Sequence, residues 1–235
     1  MTGYTNSTGA GFLSFDTSCS PDFLERKELL DVINDKLDKA GYERVAFESY
    51  ALPDDPMAIE ARKGQIHYGA SGTQTGGRVN FVGVGSSTKG NLGDEYYSQN
   101  HYDLGTYKKF IDKNLFPVFR GMKLSNDDKI RQHATQQLRT YWKIDFSDFK
   151  KRFGIDCNKY FSKEIANLSE METDGLVKIF NDKIEITHVG KDFAQFITNR
   201  FDPYDPPEKS YNDRLATINK AKRAQADALK HIDSI

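Results

Sequence analysis

The chain has 235 residues, of which 37% are hydrophobic and 29% charged, with 33 Lys and Arg against 34 Asp and Glu for a net charge of −1. That balance supplies a core but no apolar run long enough for a membrane span, and it disfavours a strongly basic nucleic-acid binder while leaving a local basic patch open. Two cysteines, Cys19 and Cys157, exclude a disulfide scaffold and any cluster that needs three thiolates from this chain.

Residues 1–20 are rich in Gly, Ser and Thr and read as a flexible lead-in with no signal-peptide pattern, so the expected compartment is the reducing cytoplasm. Ser20 and Pro21 then suit a helix start. Leu30, Ile33, Leu37 and Ala40 follow at helical spacing, and Gly41 suits the stop. Residues 43–50 (ERVAFESY) predict a strand, which makes this the αβ half of an α/β unit. After the turn-rich Leu52–Pro56, a short helix is expected within 57–66, and 67–78 (HYGASGTQTGGR) reads as a glycine-rich loop. The apolar run Val79–Gly85 predicts a buried strand ending in glycines. An aromatic-rich stretch within 93–119 predicts a strand or loop and then a helix.

Composition shifts after Gly121. Ser125-Asn126-Asp127-Asp128 has the form of a capping box, ahead of a stripe at Ile130, Ala134, Leu138 and Tyr141. A second helix opens at Ser147 and closes at Gly154. A third is expected near 158–173, with Phe161, Ile165, Leu168 and Met171 inward. Strands at 176–180 and 183–187 turn at Asn181-Asp182, and Phe193, Phe196 and Ile197 mark one more helix. Three helices followed by a hairpin form a winged-helix pattern. The expected organisation is α+β, with a lead-in over 1–20, an α/β segment over 21–122, a winged-helix-like domain over 123–202, and a proline-broken tail with a solvated helix over 203–235.

The chemistry-bearing candidates each carry a bland alternative. Gly83-Val84-Gly85-Ser86-Ser87-Thr88-Lys89-Gly90 matches neither the dinucleotide fingerprint nor the P-loop, so it is either a structural turn or a close backbone approach to a ligand. The five histidines show no metal-ligand spacing; His67 stands out only because it opens the glycine-rich loop. Asp54-Asp55, Asp94-Glu95 and Asp127-Asp128 suit capping or surface roles better than paired acid–base chemistry. Tyr96, Tyr97, Tyr102, Tyr107 and Phe110 either stack on a flat ligand or pack a helix on a sheet. The third helix carries Glu164, Glu170, Glu172 and Asp174, which disfavours phosphate binding.

A set of short pieces, in order over some 180 residues, resembles the C-terminal half of the oxygen-independent coproporphyrinogen III oxidases, a family of radical S-adenosylmethionine enzymes. The pieces are Gly41-Tyr42, Ala51–Asp55, His67 before the glycine-rich loop, Phe81–Ser87, Tyr97–Asn100 and Arg120-Gly121, then Leu124, Asp127-Asp128, Ile130-Arg131, Asp174–Leu176, and Thr187 before Gly190-Lys191. The resemblance implies a partial (β/α) barrel end followed by the winged-helix-like domain. It also implies a place in porphyrin and haem biosynthesis, with oxidative decarboxylation of propionates to vinyl groups using S-adenosylmethionine and a [4Fe–4S] cluster. The family's Cys-x3-Cys-x2-Cys motif is absent and would lie upstream of Met1, so no cofactor is expected to bind this chain alone. The resemblance places Gly83, Gly85, Ser87 and Ser71 at a cofactor. It places His67, Gln99, Asn100 and Arg120 near a tetrapyrrole, with Arg120 as partner for a propionate. Ser71 stands where the family has a Gln, and Lys89 where it has an apolar residue. No catalytic or metal residue is assigned. The implied partners are a cluster-bearing N-terminal half or subunit and a tetrapyrrole, with no membrane and with nucleic acid disfavoured. A non-catalytic porphyrin-, haem- or protein-binding module is the alternative, and a winged-helix nucleic-acid binder a third reading.

Overall fold

The computed structural model describes residues 21, 23–69, 72–76, 80–93, 95–204 and 230. The lead-in and, apart from Lys230, the helix expected in the tail lie outside these residues. In chain order the elements are α1 (Phe23–Lys39), β1 (Glu43–Ala46), β2 (Ser49–Ala51), α2 (Pro56–Arg62), β3 (His67–Gly69), β4 (Gly72–Gln74), β5 (Lys89–Leu92), β6 (Tyr96–Asn100), α3 (Leu104–Asp112) and β7 (Val118–Lys123). They continue with α4 (Asn126–Tyr141), β8 (Lys143–Asp145), α5 (Phe146–Phe153), α6 (Cys157–Tyr160), α7 (Ser162–Ala166), α8 (Ser169–Thr173), β9 (Val177–Ile179), β10 (Lys183–Ile186), a 3₁₀ turn at Val189–Phe193, and α9 (Ala194–Asn199). Helix and antiparallel sheet are mixed, as an α+β chain requires. Every strand pairing among the described residues is antiparallel.

The chain divides into two compact units. The first takes residues 1–42, 79–123 and 210–235, and the second takes 43–78 and 124–209. The chain therefore changes unit at 42/43 and 78/79 as well as at 123/124, close to the compositional shift after Gly121.

The second unit holds the hydrophobic core. Ser125 caps α4: its Oγ accepts from Asp128 N at 3.1 Å, while Asp128 Oδ2 accepts from Ser125 N at 2.8 Å. This reciprocal arrangement satisfies orphan donors at both positions. α4 buries Ile130, Ala134 and Leu138 against Ile144, Phe149, Phe161, Leu168, Val177, Ile184, Ile197 and Phe201. Phe149, Phe161 and Phe201 are fully buried and meet edge-on, at ring-centroid distances of 5.9 and 5.3 Å along the series. Strands β8, β10 and β9 form one sheet with β10 central. Gly190 lies so near the Leu176 carbonyl that a Cβ would sit 1.9 Å from its oxygen, so no other residue fits without moving backbone. Arg44 Nη1 reaches Asp192 Oδ1 at 2.8 Å, and both side chains are mostly buried.

Two expectations need correction here. The strand expected over 43–50 is a hairpin, β1 paired with β2, turned at Phe47-Glu48. Phe47 N donates to Arg139 O at 2.8 Å, so a contact with α4 fixes a turn that carries neither Gly nor Pro. The long third helix is three short ones, α6, α7 and α8, broken at Phe161 and at Asn167-Leu168. Phe161 and Leu168 are both fully buried at the breaks.

The first unit contains β5, β6 and β7 as one sheet, with α3 crossing between β6 and β7. α1 ends at Gly41, whose φ of +81° suits glycine, and Tyr42 N closes the end on Leu37 O at 3.0 Å. Of the buried strand expected over Val79–Gly85, the described residues 80–85 form none: Phe81 makes one isolated bridge to Asn91, and Val82 and Val84 are 73% and 87% exposed. Pro117 apart, every buried apolar side chain among the described residues lies in the second unit; the first buries Asn91, Asn100, His101 and Thr106 instead.

Candidate functional site

The segment Gly83–Thr88 joins the Phe81 bridge to β5 and folds back as a tight loop. Gly83 lacks a side chain because its own neighbours occupy the space: a Cβ would lie 2.5 Å from Lys89 O and 2.6 Å from Thr88 Oγ1. Gly85 takes φ +111° and Ser87 takes φ +63°, so the loop twice uses the left-handed region.

Asn100, at the end of β6 and buried, clasps this loop. Its Nδ2 lies 3.0 Å from both Gly83 O and Gly85 O and 3.1 Å from Thr88 Oγ1, so two protons serve three acceptors. Thr88 Oγ1 in turn donates to Gly85 O at 2.8 Å. Two of the loop's backbone donors are also spent inside the unit: Gly85 N on Tyr107 Oη at 3.1 Å, and Ser87 N on His101 O at 2.9 Å.

Gln99 works alongside. Its Nε2 donates to Ser87 O at 3.2 Å, and its Oε1 accepts from Arg120 Nε at 2.9 Å. Arg120 is exposed, and among the described residues no carboxylate forms an ion pair with it. Five of the sequence candidates in this unit (Gly83, Gly85, Ser87, Gln99 and Asn100) thus form one hydrogen-bonded group, with Arg120 joined to it. Asn100 and the two glycines are the frame of the loop, while Gln99 and Arg120 face outward from it.

His67 belongs to the second unit. It is buried, 6% exposed, and its Nδ1 meets Gln136 Nε2 of α4, in a hairpin with β4 rather than a loop. Ser71 lies outside the described residues. The two groups of candidates therefore fall in different units.

His101 is a residue that sequence reasoning did not single out. It is fully buried between Phe110 and Phe119, with ring centroids at 4.8 and 5.3 Å, and neither ring nitrogen has a hydrogen-bond partner. Burial pushes its pKa below the ordinary value, against a smaller upward pull from Asp103. Only its position directly after Asn100 could have drawn attention to it. The aromatic cluster is largely packing: Phe110 stacks on His101, Tyr102 meets Phe119 edge-on at 5.7 Å, and Tyr107 holds the loop.

Two of the acidic pairs have structural work, while Asp94 of the third lies outside the described residues. Asp55 caps α2 by accepting from Met57 N at 2.7 Å. Asp127 Oδ2 takes a hydrogen bond from Arg131 Nε at 2.8 Å. Among the described residues, no three His, Cys, Asp or Glu side chains are placed to hold a metal. Cys157 is buried in the second unit's core, where burial and then nearby carboxylates push its thiol up to about 12. With two cysteines in the whole sequence, this chain's residues do not fit a cluster held by three thiolates.

Residues 124–193 match the model of the HemN C-terminal domain. The oxygen-independent coproporphyrinogen III oxidase of Pseudomonas aeruginosa is 32% identical over 182 residues, covering 77% of this chain and 39% of that protein. The enzyme of the same name from Synechocystis is 31% identical over 191 residues, covering 80% and 41%. This chain therefore spans about two fifths of the length of the curated relatives it matches. A solved structure, the coproporphyrinogen III oxidase HemN of Escherichia coli, described as a radical SAM enzyme, matches 81% of this chain and 44% of that one, with a TM-score of 0.74 and 27% identity. By sequence and by fold, this chain is a relative of the C-terminal part of the oxygen-independent coproporphyrinogen III oxidases.

Proposed function

We propose that the chain supplies the substrate-enclosing, C-terminal part of an oxygen-independent coproporphyrinogen III oxidase-like protein and does not catalyse by itself. In the complete enzyme, S-adenosylmethionine and a [4Fe–4S] cluster supply the radical chemistry that turns propionates into vinyl groups. Residues 21–122 would close the end of a (β/α) barrel. Residues 123–202 would be a winged-helix-like cover, which the order α4, β8, α5, α6–α8, β9, β10 supports.

The observation that carries this reading is Arg120. Its Nε is fixed on Gln99, which leaves its other N–H groups, on an exposed residue, to a carboxylate from outside. A guanidinium can give a carboxylate two parallel hydrogen bonds, which suits a propionate arm. A nucleic-acid role has less support: in the α6–α8 region Glu164 Oε1 already pairs with Arg131 Nη1 at 2.7 Å, and Glu172 Oε1 accepts from Ile179 N at 2.8 Å.

The cysteine count favours one second reading, a porphyrin-binding module without catalysis. The test that separates them is anaerobic turnover of coproporphyrinogen III after co-expression with a cluster-bearing partner. Co-purification and turnover that both depend on this chain support the first reading. Saturable coproporphyrin binding with no association supports the second. Neither binding nor association refutes both.

A further inference from the structure

The first unit's sheet places a second cation beside Arg120. Lys89 lies directly opposite Gln99 in the β5–β6 ladder, and Gln99 lies directly opposite Arg120 in the β6–β7 ladder. Directly opposed residues project from the same face of an antiparallel sheet. The Arg120 Nε to Gln99 Oε1 hydrogen bond fixes that face for the second pair. Lys89 and Arg120 therefore stand on one face, two strands apart, with Cα atoms about 10 Å from each other. Both are exposed, and among the described residues neither forms an ion pair.

The next row on this face is Asn91, Tyr97 and Met122, opposite one another in the same two ladders. Asn91 is buried, Tyr97 is half-buried and Met122 is 41% exposed, so the open part of this row lies on the β6–β7 side. The face thus offers two cations along one edge and an aromatic and a thioether surface beside them. The opposite face carries Gly90, Ser98 and Gly121 in one row and Leu92, Tyr96 and Lys123 in the next, with a single cation.

We propose that Lys89, Gln99 and Arg120 form a carboxylate-binding row for a ligand with an apolar body and two carboxylate arms, in which Lys89 is a specificity-determining residue. Arg120 takes one arm by paired hydrogen bonds, and Lys89 takes the other as a point charge on a flexible stem. Gln99 holds Arg120 in place and ties the row to Ser87 O. Bound carboxylates also relieve the repulsion between the two cations. This deepens the function proposed above by naming the chemistry that the outward face selects.

The test is an absorbance titration of the whole chain with coproporphyrin III, a tetracarboxylate, at low and high salt. Lys89→Gln and Arg120→Gln should each weaken binding about tenfold or more, since a hydrogen bond to a charged group contributes about that much. Lys89→Arg should restore it. Lys123→Gln, a change of the same charge on the opposite face, should leave affinity within about twofold, and added salt should weaken the native chain more than either row variant. Circular dichroism of each variant guards against misfolding. Equal affinity in Lys89→Gln and the native chain, an equal loss in Lys123→Gln, or no saturable binding overturns the row. Lys89-dependent binding without turnover beside a cluster-bearing partner would refute the oxidase reading and leave the row standing; turnover with unchanged Lys89→Gln affinity would do the reverse.

Discussion

Replacing Asn100 by Ala tests whether the Gly83–Thr88 loop is held by one side chain. The amide nitrogen now serves three acceptors, and its removal strands Gly83 O and Gly85 O in a part-buried setting, although Thr88 Oγ1 still reaches Gly85 O. Two lost bonds at about 1 kcal/mol each, with part of the cost of an orphaned carbonyl, give about 2–3 kcal/mol of local destabilisation. That corresponds to a rise of roughly 30- to 150-fold in the opening equilibrium of the loop. Native-state hydrogen exchange reads it at three amides: Gly85 bonded to Tyr107, Ser87 bonded to His101, and Asn100 bonded to Thr88. Asn100→Asp should be at least as harmful, because a carboxylate facing two carbonyls has no proton to give. Protection factors at Gly85 and Ser87 that stay within about threefold of the native chain in both variants would refute the clasp.

Phe149→Ala should cost about 3–5 kcal/mol in the second unit, because Phe149 is fully buried against Phe153 and Phe161; chemical denaturation followed by the fluorescence of Trp142 checks it. Stability of the β6–α3 region should fall as pH drops below about 6.5. The unfolded chain protonates His101 there while burial keeps the folded form neutral to lower pH, so the unfolded state binds more protons. Exchange at pH 5.5 against 7.5 shows this slope, and His101→Leu should flatten it. Cys157 should resist iodoacetamide in the folded chain and react on unfolding, since its thiol is 1% exposed and pushed up to about 12.

Local chemistry made much of the second unit legible. The capping box at Ser125, the left-handed Gly154 after α5, and the alternation of Ile184 and Ile186 each act over a few residues. Tertiary contacts decided what local signals missed. Phe47-Glu48 turns because Phe47 is bonded to α4. The run Val79–Gly85 has strand composition, yet Val82 and Val84 point to water because the glycines around them build a loop, and apolar runs alone do not distinguish the two. At the candidate site, the glycines stood out as a motif and the family resemblance drew attention to Gln99 and Asn100, but neither assigned their work. Asn100 is consumed inside the loop, whereas the pairing of Lys89 with Gln99 and Arg120 depends on strand register, which the sequence does not carry. His101 had no signal beyond its neighbour.

The central claim is that this chain encloses a ligand and depends on another polypeptide segment for radical chemistry. Anaerobic reconstitution of the purified chain with iron and sulfide, followed by addition of S-adenosylmethionine and a reductant, tests it most directly. The account predicts no cluster absorbance and no 5′-deoxyadenosine. A brown protein that cleaves S-adenosylmethionine unaided would contradict it.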